Sequence, residues 1–189
     1  KLKANVSAKD GRCAKRHQAW RSQELDVISA TSTLRLGDLN KAESYARTGA
    51  TEFNMNGSVF KRRNYQLLSQ VKLRQGRFQD ALSFALMAKK AQRKSCVPLI
   101  APERAEVNRD IAMSLVALNE FDEAYNVMQE IKSNLKTEPK IWNNMFASSV
   151  ERGVILRETG HINEAKAVFV QAESDLGIKF GENHYFTAE

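Results

Sequence analysis

Apolar residues recur along most of this chain at the three- and four-residue spacing of amphipathic α-helices, and single glycines or short polar links separate the helical stretches. Residues 73–91 show the pattern most clearly: a helix ends, Gly76 makes a one-residue turn, and a second helix begins. Weaker versions of the pattern occur three more times. The chain is therefore predicted to consist of helical hairpins.

Four residues mark the turns of these hairpins, because glycine, and after it asparagine, most easily adopts the left-handed backbone conformation at a helix end. Asp38 is the expected N-cap of the second helix, and Thr137 that of the seventh. The turn residues are Gly37, Gly76, Asn119 and Gly160. The predicted helices cover roughly 12–36, 39–53, 59–75, 77–93, 102–118, 121–135, 138–158 and 163–176, and a ninth begins at 183–189.

The four turns lie 39, 43 and 41 residues apart, a spacing typical of α-helical repeat proteins. Small residues stand seven positions before and five positions after each turn, which lets the two helices approach closely near the joint. An apolar residue two positions after the turn is expected to fill the base of each hairpin. The three sets are Ala30, Ser69, Ala112 and Gly153; Ala42, Ala81, Ala124 and Ala165; and Leu39, Phe78, Phe121 and Ile162.

This pattern resembles the tetratricopeptide repeat (TPR) family, in its long-repeat, kinesin-light-chain-like type. Residues 180–187 are similar to the link between two such repeats. The best-matching unit carries Gly76, Phe78, Asp80, Ala81 and Ala88, and the fourth carries Gly153, Gly160, Glu164, Ala165, Phe169 and Ala172.

The resemblance implies an all-α fold, a right-handed α-solenoid of four helical-hairpin repeats that is truncated before a fifth. The expected repeats cover roughly 12–56, 57–97, 98–136 and 137–182. A basic irregular arm at 1–11 would precede them, and 183–189 would start a further helix. Because the chain begins with Lys1 and not with Met, we expect a fragment or a processed product.

The resemblance also implies that the first helix of each hairpin lines a concave groove that binds a peptide or a partner helix. Arg74 and Arg109 could then hold an acidic or amphipathic peptide through charge-assisted hydrogen bonds. The alternative is that these are ordinary surface residues. The groove residues so assigned are Thr31, Arg35, Gln66, Gln70, Arg74, Arg109, Met113, Val150, Val154 and Arg157, and Val27 is expected to face the groove as well.

The net charge of +7 is concentrated at one end of the chain. Residues 1–22 contain seven basic side chains and one acid, Asp10, which leaves the remaining 167 residues near neutral at +1. The arm could contact nucleic acid or an anionic membrane surface, or it could be a solvated linker. No broad nucleic-acid-binding face is predicted.

No catalytic, metal or cofactor site is predicted, so the chain is not expected to be an enzyme. The three histidines, His17, His161 and His184, have no metal-ligand spacing, and His161 is expected to be solvated after its turn. Cys13 and Cys96 form no disulfide framework, which favours free thiols in the cytoplasm, with a removed targeting segment as the alternative. No apolar run reaches the ~18 residues of a membrane span.

Two functions remain in competition. The first is a protein–protein interaction scaffold that binds a peptide or partner protein in the groove. The second is a ligand- or peptide-sensing regulatory module of a larger signal-transduction or transcription-regulating protein. Both follow from the geometry of a repeat array, in which each repeat contacts only its neighbours.

Overall fold

A computed structural model describes residues 24–51, 59–93, 101–135 and 149–180, and every regular element in these ranges is a helix, which confirms the all-α prediction. The chain divides into two compact units, Lys1–Pro98 with α1–α4 and Leu99–Glu189 with α5–α8. The helices are α1 (24–35), α2 (Leu39–Thr51), α3 (Val59–Arg74), α4 (Phe78–Arg93), α5 (Ala101–Ala117), α6 (Phe121–Asn134), α7 (Val150–Glu158) and α8 (Ile162–Phe180).

The four predicted turn positions are confirmed, and all have the same geometry. At each turn the N–H of the turn residue donates to the carbonyl three residues earlier. The next N–H donates to the carbonyl five residues earlier, and all eight bonds measure 2.8–3.2 Å. This pair of bonds closes a Schellman motif, which needs a left-handed residue at the turn. The φ angles are 81° at Gly37, 71° at Gly76, 61° at Asn119 and 81° at Gly160.

Each second helix begins directly after its turn. The alanine five positions after the turn donates its N–H to the carbonyl of the residue that follows the turn, at 2.9–3.1 Å. Asp38 caps α2, since its Oδ1 accepts from the N–H of Lys41 at 3.1 Å, as the sequence predicts. These first bonds fix where α2, α4, α6 and α8 start.

Both columns of small residues are buried at the hairpin joints. The alanines after the turns are at most 2% exposed. Gly153 shows why the earlier column must be small, because a Cβ on this residue would overlap the ring of Phe169 on the facing helix. The close approach of paired helices therefore depends on alanine or serine in these columns, and on glycine at position 153.

In the N-terminal unit α2 packs on α3 and α3 packs on α4. The contact between α2 and α3 is antiparallel, because Glu43 meets Lys72 near one end and Gly49 faces Asn64 near the other. The core cluster consists of Val27, Ala30, Leu34, Ala42, Ala46, Ala50, Leu67, Leu68 and Val71.

In the C-terminal unit α5 packs on α6, α6 on α7 and α7 on α8, and α5 also contacts α7. Its buried side chains line the facing sides of these helices. They include Val107, Ile111, Leu115, Met128, Ile131, Ile155, Leu156 and Val168.

Two predicted boundaries are wrong. The continuous helix expected over 138–158 does not pass through residue 149, because Ser149 has extended angles (φ −80°, ψ 136°) and its hydroxyl accepts from the N–H of Arg152. A serine side chain that bonds to the backbone in this way starts a helix and does not continue one. The expected loop after Leu176 is also incorrect, since α8 continues through Gly177 to Phe180. The predicted cap at Thr137 lies outside the described residues.

The residue two positions after the turn does not fill every hairpin base. Leu39 and Phe121 are partly buried, whereas Phe78 is 37% and Ile162 is 58% exposed. Leu39 packs against the core cluster, which contains residues of α1 and α2 as well as of α3. The burial of the residue at this position therefore differs from one hairpin to the next.

Candidate binding surfaces

In the N-terminal unit the predicted groove residues differ in their contacts. The guanidinium of Arg74 donates to the carbonyl oxygen of Leu34 at 2.7 Å and so joins the end of α3 to the end of α1. A cation at this position is favourable, because the carboxyl end of a helix carries partial negative charge. Arg74 therefore has a structural contact in addition to any role in binding.

The other predicted residues of this unit vary in exposure. Gln66 is only 7% exposed, and its side-chain oxygen accepts from Arg62 at 2.9 Å. Thr31 is half-buried, and its hydroxyl donates to the carbonyl oxygen of Val27. Gln70 is half-buried and Arg35 is exposed. Val27, which is predicted to face the groove, lies in the core instead, at 8% exposure.

In the C-terminal unit the structure brings α5 and α7 together along the predicted surface. Arg109 on α5 lies 3.7 Å from the carboxylate of Glu151 on α7, and both side chains are more than one-third exposed. Beneath this pair is a cavity of about 10 Å³, space for about one water molecule. The cavity is lined by Arg109, Ala112, Met113, Met128, Ile131, Ser149, Glu151, Arg152 and Ile155.

The remaining predicted residues of this unit are on α7. Val150 is 49% exposed and Val154 is half-buried. Arg157 is exposed and pairs with the neighbouring Glu158 at 2.6 Å. The surface of α5 and α7 thus combines apolar side chains with one loosely paired arginine, Arg109.

A buried polar cluster, which the sequence pattern does not predict, joins α2 to α3 in the N-terminal unit. The Nζ of Lys72, whose side chain is 1% exposed, lies 2.6 Å from Oε2 of Glu43 and 2.8 Å from Oε1 of Gln75. Arg47 binds the other carboxylate oxygen of Glu43 at 2.8 Å. Burial alone raises the pKa of this carboxyl, but the hydrogen bonds from Lys72, Arg47 and Gln75 outweigh it and lower the pKa to about 2.

The repeat register could have revealed this cluster. Lys72 stands four positions before its turn, where the third and fourth hairpins have the buried residues Leu115 and Leu156. A lysine in a column of buried leucines has to bury its stem and find an acid for its ammonium group. The acid is 29 residues earlier in the chain, so its identity was not evident from local spacing.

A second cation stands in an apolar column of the fourth hairpin. Arg152 lies eight positions before its turn, where Leu68 and Ile111 stand in the second and third hairpins, and it is half-buried. Burial lowers the pKa of Arg152, and the charge of Glu164 partly opposes this change. Glu164 lies on the first turn of α8, so this attraction acts between α7 and α8.

His161 was expected to be solvated, but in the structure its ring is partly buried. Its ring stacks on Tyr125 with the centroids 4.7 Å apart and an angle of 14° between the planes. Nε2 lies 3.3 Å from the hydroxyl of Tyr125, and Nδ1 lies 3.1 Å from the hydroxyl of Thr159. Because both ring nitrogens have partners, His161 joins α6 to the turn between α7 and α8.

The described residues contain no group of three or more His, Cys, Asp or Glu side chains placed to hold a metal ion. None of the described helices is long and apolar enough to cross a membrane. His17, His184, Cys13, Cys96 and the basic arm lie outside the residues that the structure describes.

Comparisons with protein-family models, with curated proteins and with solved structures find no match to this chain.

Proposed function

We propose that this protein is an interaction scaffold, a TPR-like α-solenoid of four repeats that binds a peptide or a partner protein on the first helices of its hairpins. The observation that carries the proposal is the identity of the four turns, each a Schellman motif followed by a buried alanine. Repeated hairpins of one geometry are typical of arrays that present extended binding surfaces. The proposal assigns no catalytic step to the chain and places it in the cytoplasm.

The α5–α7 surface is the best candidate for the binding site. We define it by Arg109, Met113, Val150 and Val154. Met113 lies one turn after Arg109 on α5, so an apolar contact and a charge are adjacent on one face. The contact of Arg109 with Glu151 is long at 3.7 Å and solvent-exposed, so it contributes little to stability. An acidic group on a ligand could take the place of Glu151 at modest cost.

The ligand that fits this surface is an acidic, amphipathic peptide. Its apolar side chains would cover Met113, Val150 and Val154, and a carboxylate would accept hydrogen bonds from Arg109. Charge-assisted hydrogen bonds of this kind contribute about 1.5–3 kcal/mol. Arg74 is the weaker candidate because its guanidinium already binds the carbonyl oxygen of Leu34.

The test is fluorescence anisotropy with a panel of labelled acidic amphipathic peptides. We expect at least one to bind, and Arg109→Ala to weaken that binding by roughly ten- to a hundredfold. Arg104→Ala is the matched control, because Arg104 is an exposed arginine on another side of the same helix. Equal affinities for these two variants, or no binding by any peptide, would refute the assignment of this surface.

A further inference from the structure

Among the described helices, the last one, α8, has an exposed apolar surface with a shallow depression. Ile162 and Val170 are each 58% exposed, and Phe169 between them is partly buried. Lys166 and Glu173 are exposed on the same stripe of the helix. We call this surface the α8 face. It includes a shallow, open depression of about 310 Å³ lined by Arg157, Ile162, Ala165, Lys166, Phe169, Val170 and Glu173.

The corresponding face of α2 is covered by an antiparallel helix. The two faces have the same register after their turns. Positions two, five and six after the turn hold Leu39, Ala42 and Glu43 on α2, and they hold Ile162, Ala165 and Lys166 on α8. On α2 this face packs against α3, and Glu43 at the sixth position forms an ion pair with Lys72 of α3. The hairpin geometry of this chain thus accepts a helix at these positions, and it places a charge beside the apolar contact.

The charges on the α8 face are complementary to themselves. Lys166 precedes Phe169 by three residues, and Glu173 follows Val170 by three residues. When two copies of α8 lie antiparallel about a two-fold axis between Phe169 and Val170, Lys166 of each copy faces Glu173 of the other. The central contact is then apolar, and an opposite-charge pair lies on each side of it. Such a self-complementary patch is the requirement for a two-fold symmetric dimer.

We propose that the α8 face binds the α8 face of a second copy of this chain, antiparallel and two-fold symmetric, with Lys166 of each copy paired to Glu173 of the other. Burial of Ile162, Phe169 and Val170 supplies the attraction, and the two charge pairs set the register. The interface is small, so the dimer is weak, with a dissociation constant of roughly 10–100 μM. This association uses α8 and does not depend on the proposed binding by α5 and α7.

The test is sedimentation-velocity ultracentrifugation of the full chain over concentrations from about 5 to 500 μM. We expect a concentration-dependent monomer–dimer equilibrium. Lys166→Glu and Glu173→Lys each place like charges opposite one another, so each variant alone should dimerise at least tenfold more weakly. An equimolar mixture of the two variants should recover dimers, because one copy then presents two acids and the other two lysines.

The controls separate this interface from other causes. Ala167→Glu adds a charge at an exposed position of α8 outside the depression and should leave dimerisation unchanged. Circular dichroism checks that each variant keeps its helices. The proposal is overturned if the unmodified chain stays monomeric at every concentration. It is also overturned if the charge variants dimerise like the unmodified chain, or if their mixture gives no dimers.

Discussion

At the scale of the residue, Lys72 shows how one side chain can fit a position built for leucine. Its four-carbon stem fills the buried column, and its ammonium group lies between Glu43 and Gln75. Taking a charge out of water is costly, so the pair is a favourable arrangement only while both partners are present. Removal of the acid would leave a buried ammonium group without its main partner.

We therefore predict that Glu43→Gln lowers the free energy of unfolding by about 3 kcal/mol at about pH 6. The folded protein holds the pKa of Glu43 at about 2, against its ordinary 4.5. The unfolded chain takes up the proton first as the pH falls, so the contribution of the carboxylate is complete above about pH 4.5 and is lost as the pH falls towards 2. The difference in the free energy of unfolding between the unmodified protein and Glu43→Gln should therefore shrink as the pH falls through this range. Urea titrations at several pH values measure it.

Asp80→Asn is the matched control for this prediction. Asp80 is a carboxylate on the first turn of α4, it is 44% exposed, and it pairs with Arg77. A surface pair of this kind contributes less than about 1 kcal/mol. A loss of the same size in both variants, or a difference for Glu43→Gln that does not change with pH, would contradict the role given to the buried cluster.

At the scale of the element, the hairpin depends on a close joint between two helices. Glycine within α7 lowers helix propensity by about 1 kcal/mol relative to alanine. Gly153 is nevertheless needed there, because a Cβ would overlap the ring of Phe169. Packing between the helices outweighs the local preference of α7 at this position.

We predict that Gly153→Ala destabilises the protein by about 1–2 kcal/mol, because the overlap with Phe169 costs more than the gain in helix propensity. In a Phe169→Leu background the ring is absent, and the same change should become neutral or stabilising. A double-mutant cycle measured by urea denaturation gives both values. If Gly153→Ala costs the same in both backgrounds, the explanation by contact with Phe169 is incorrect.

At the scale of the whole molecule, charge is distributed unevenly along the chain. Of the net charge of +7, residues 1–22 supply +6. Basic segments bind polyanions with an affinity that falls steeply with salt concentration, because binding releases counterions. The basicity of the protein is therefore a property of one terminal segment.

We predict that a chain lacking residues 1–22 elutes from a heparin column at a much lower salt concentration than the full chain, since its net charge falls to +1. The thermal stability of the helices described from residue 24 onward should change little. Elution of both chains at the same salt concentration would show that the polyanion binds elsewhere. Substitution of the seven basic residues by glutamine is the control for the effect of length.

The sequence alone was sufficient for the features that depend on local backbone geometry. The sequence identifies the turn residues Gly37, Gly76, Asn119 and Gly160 because few residues tolerate a left-handed conformation. It also identifies the small residues around them, because two helices close to a turn must approach each other. These local signals predicted the all-α fold and most helix boundaries. The start of α7 at Val150 was missed, because the pattern of apolar residues does not show that Ser149 bonds to the backbone.

Only the tertiary structure decided which polar side chains are buried and what they contact. Lys72 meets an acid 29 residues away, His161 a tyrosine 36 residues away, and Arg74 a carbonyl group 40 residues away. Such partners depend on how one hairpin lies against another, and periodicity along a single helix contains no information about that. The sequence by itself thus determined the hairpins and their turns, whereas tertiary packing decided which predicted binding residues face solvent and which support the fold.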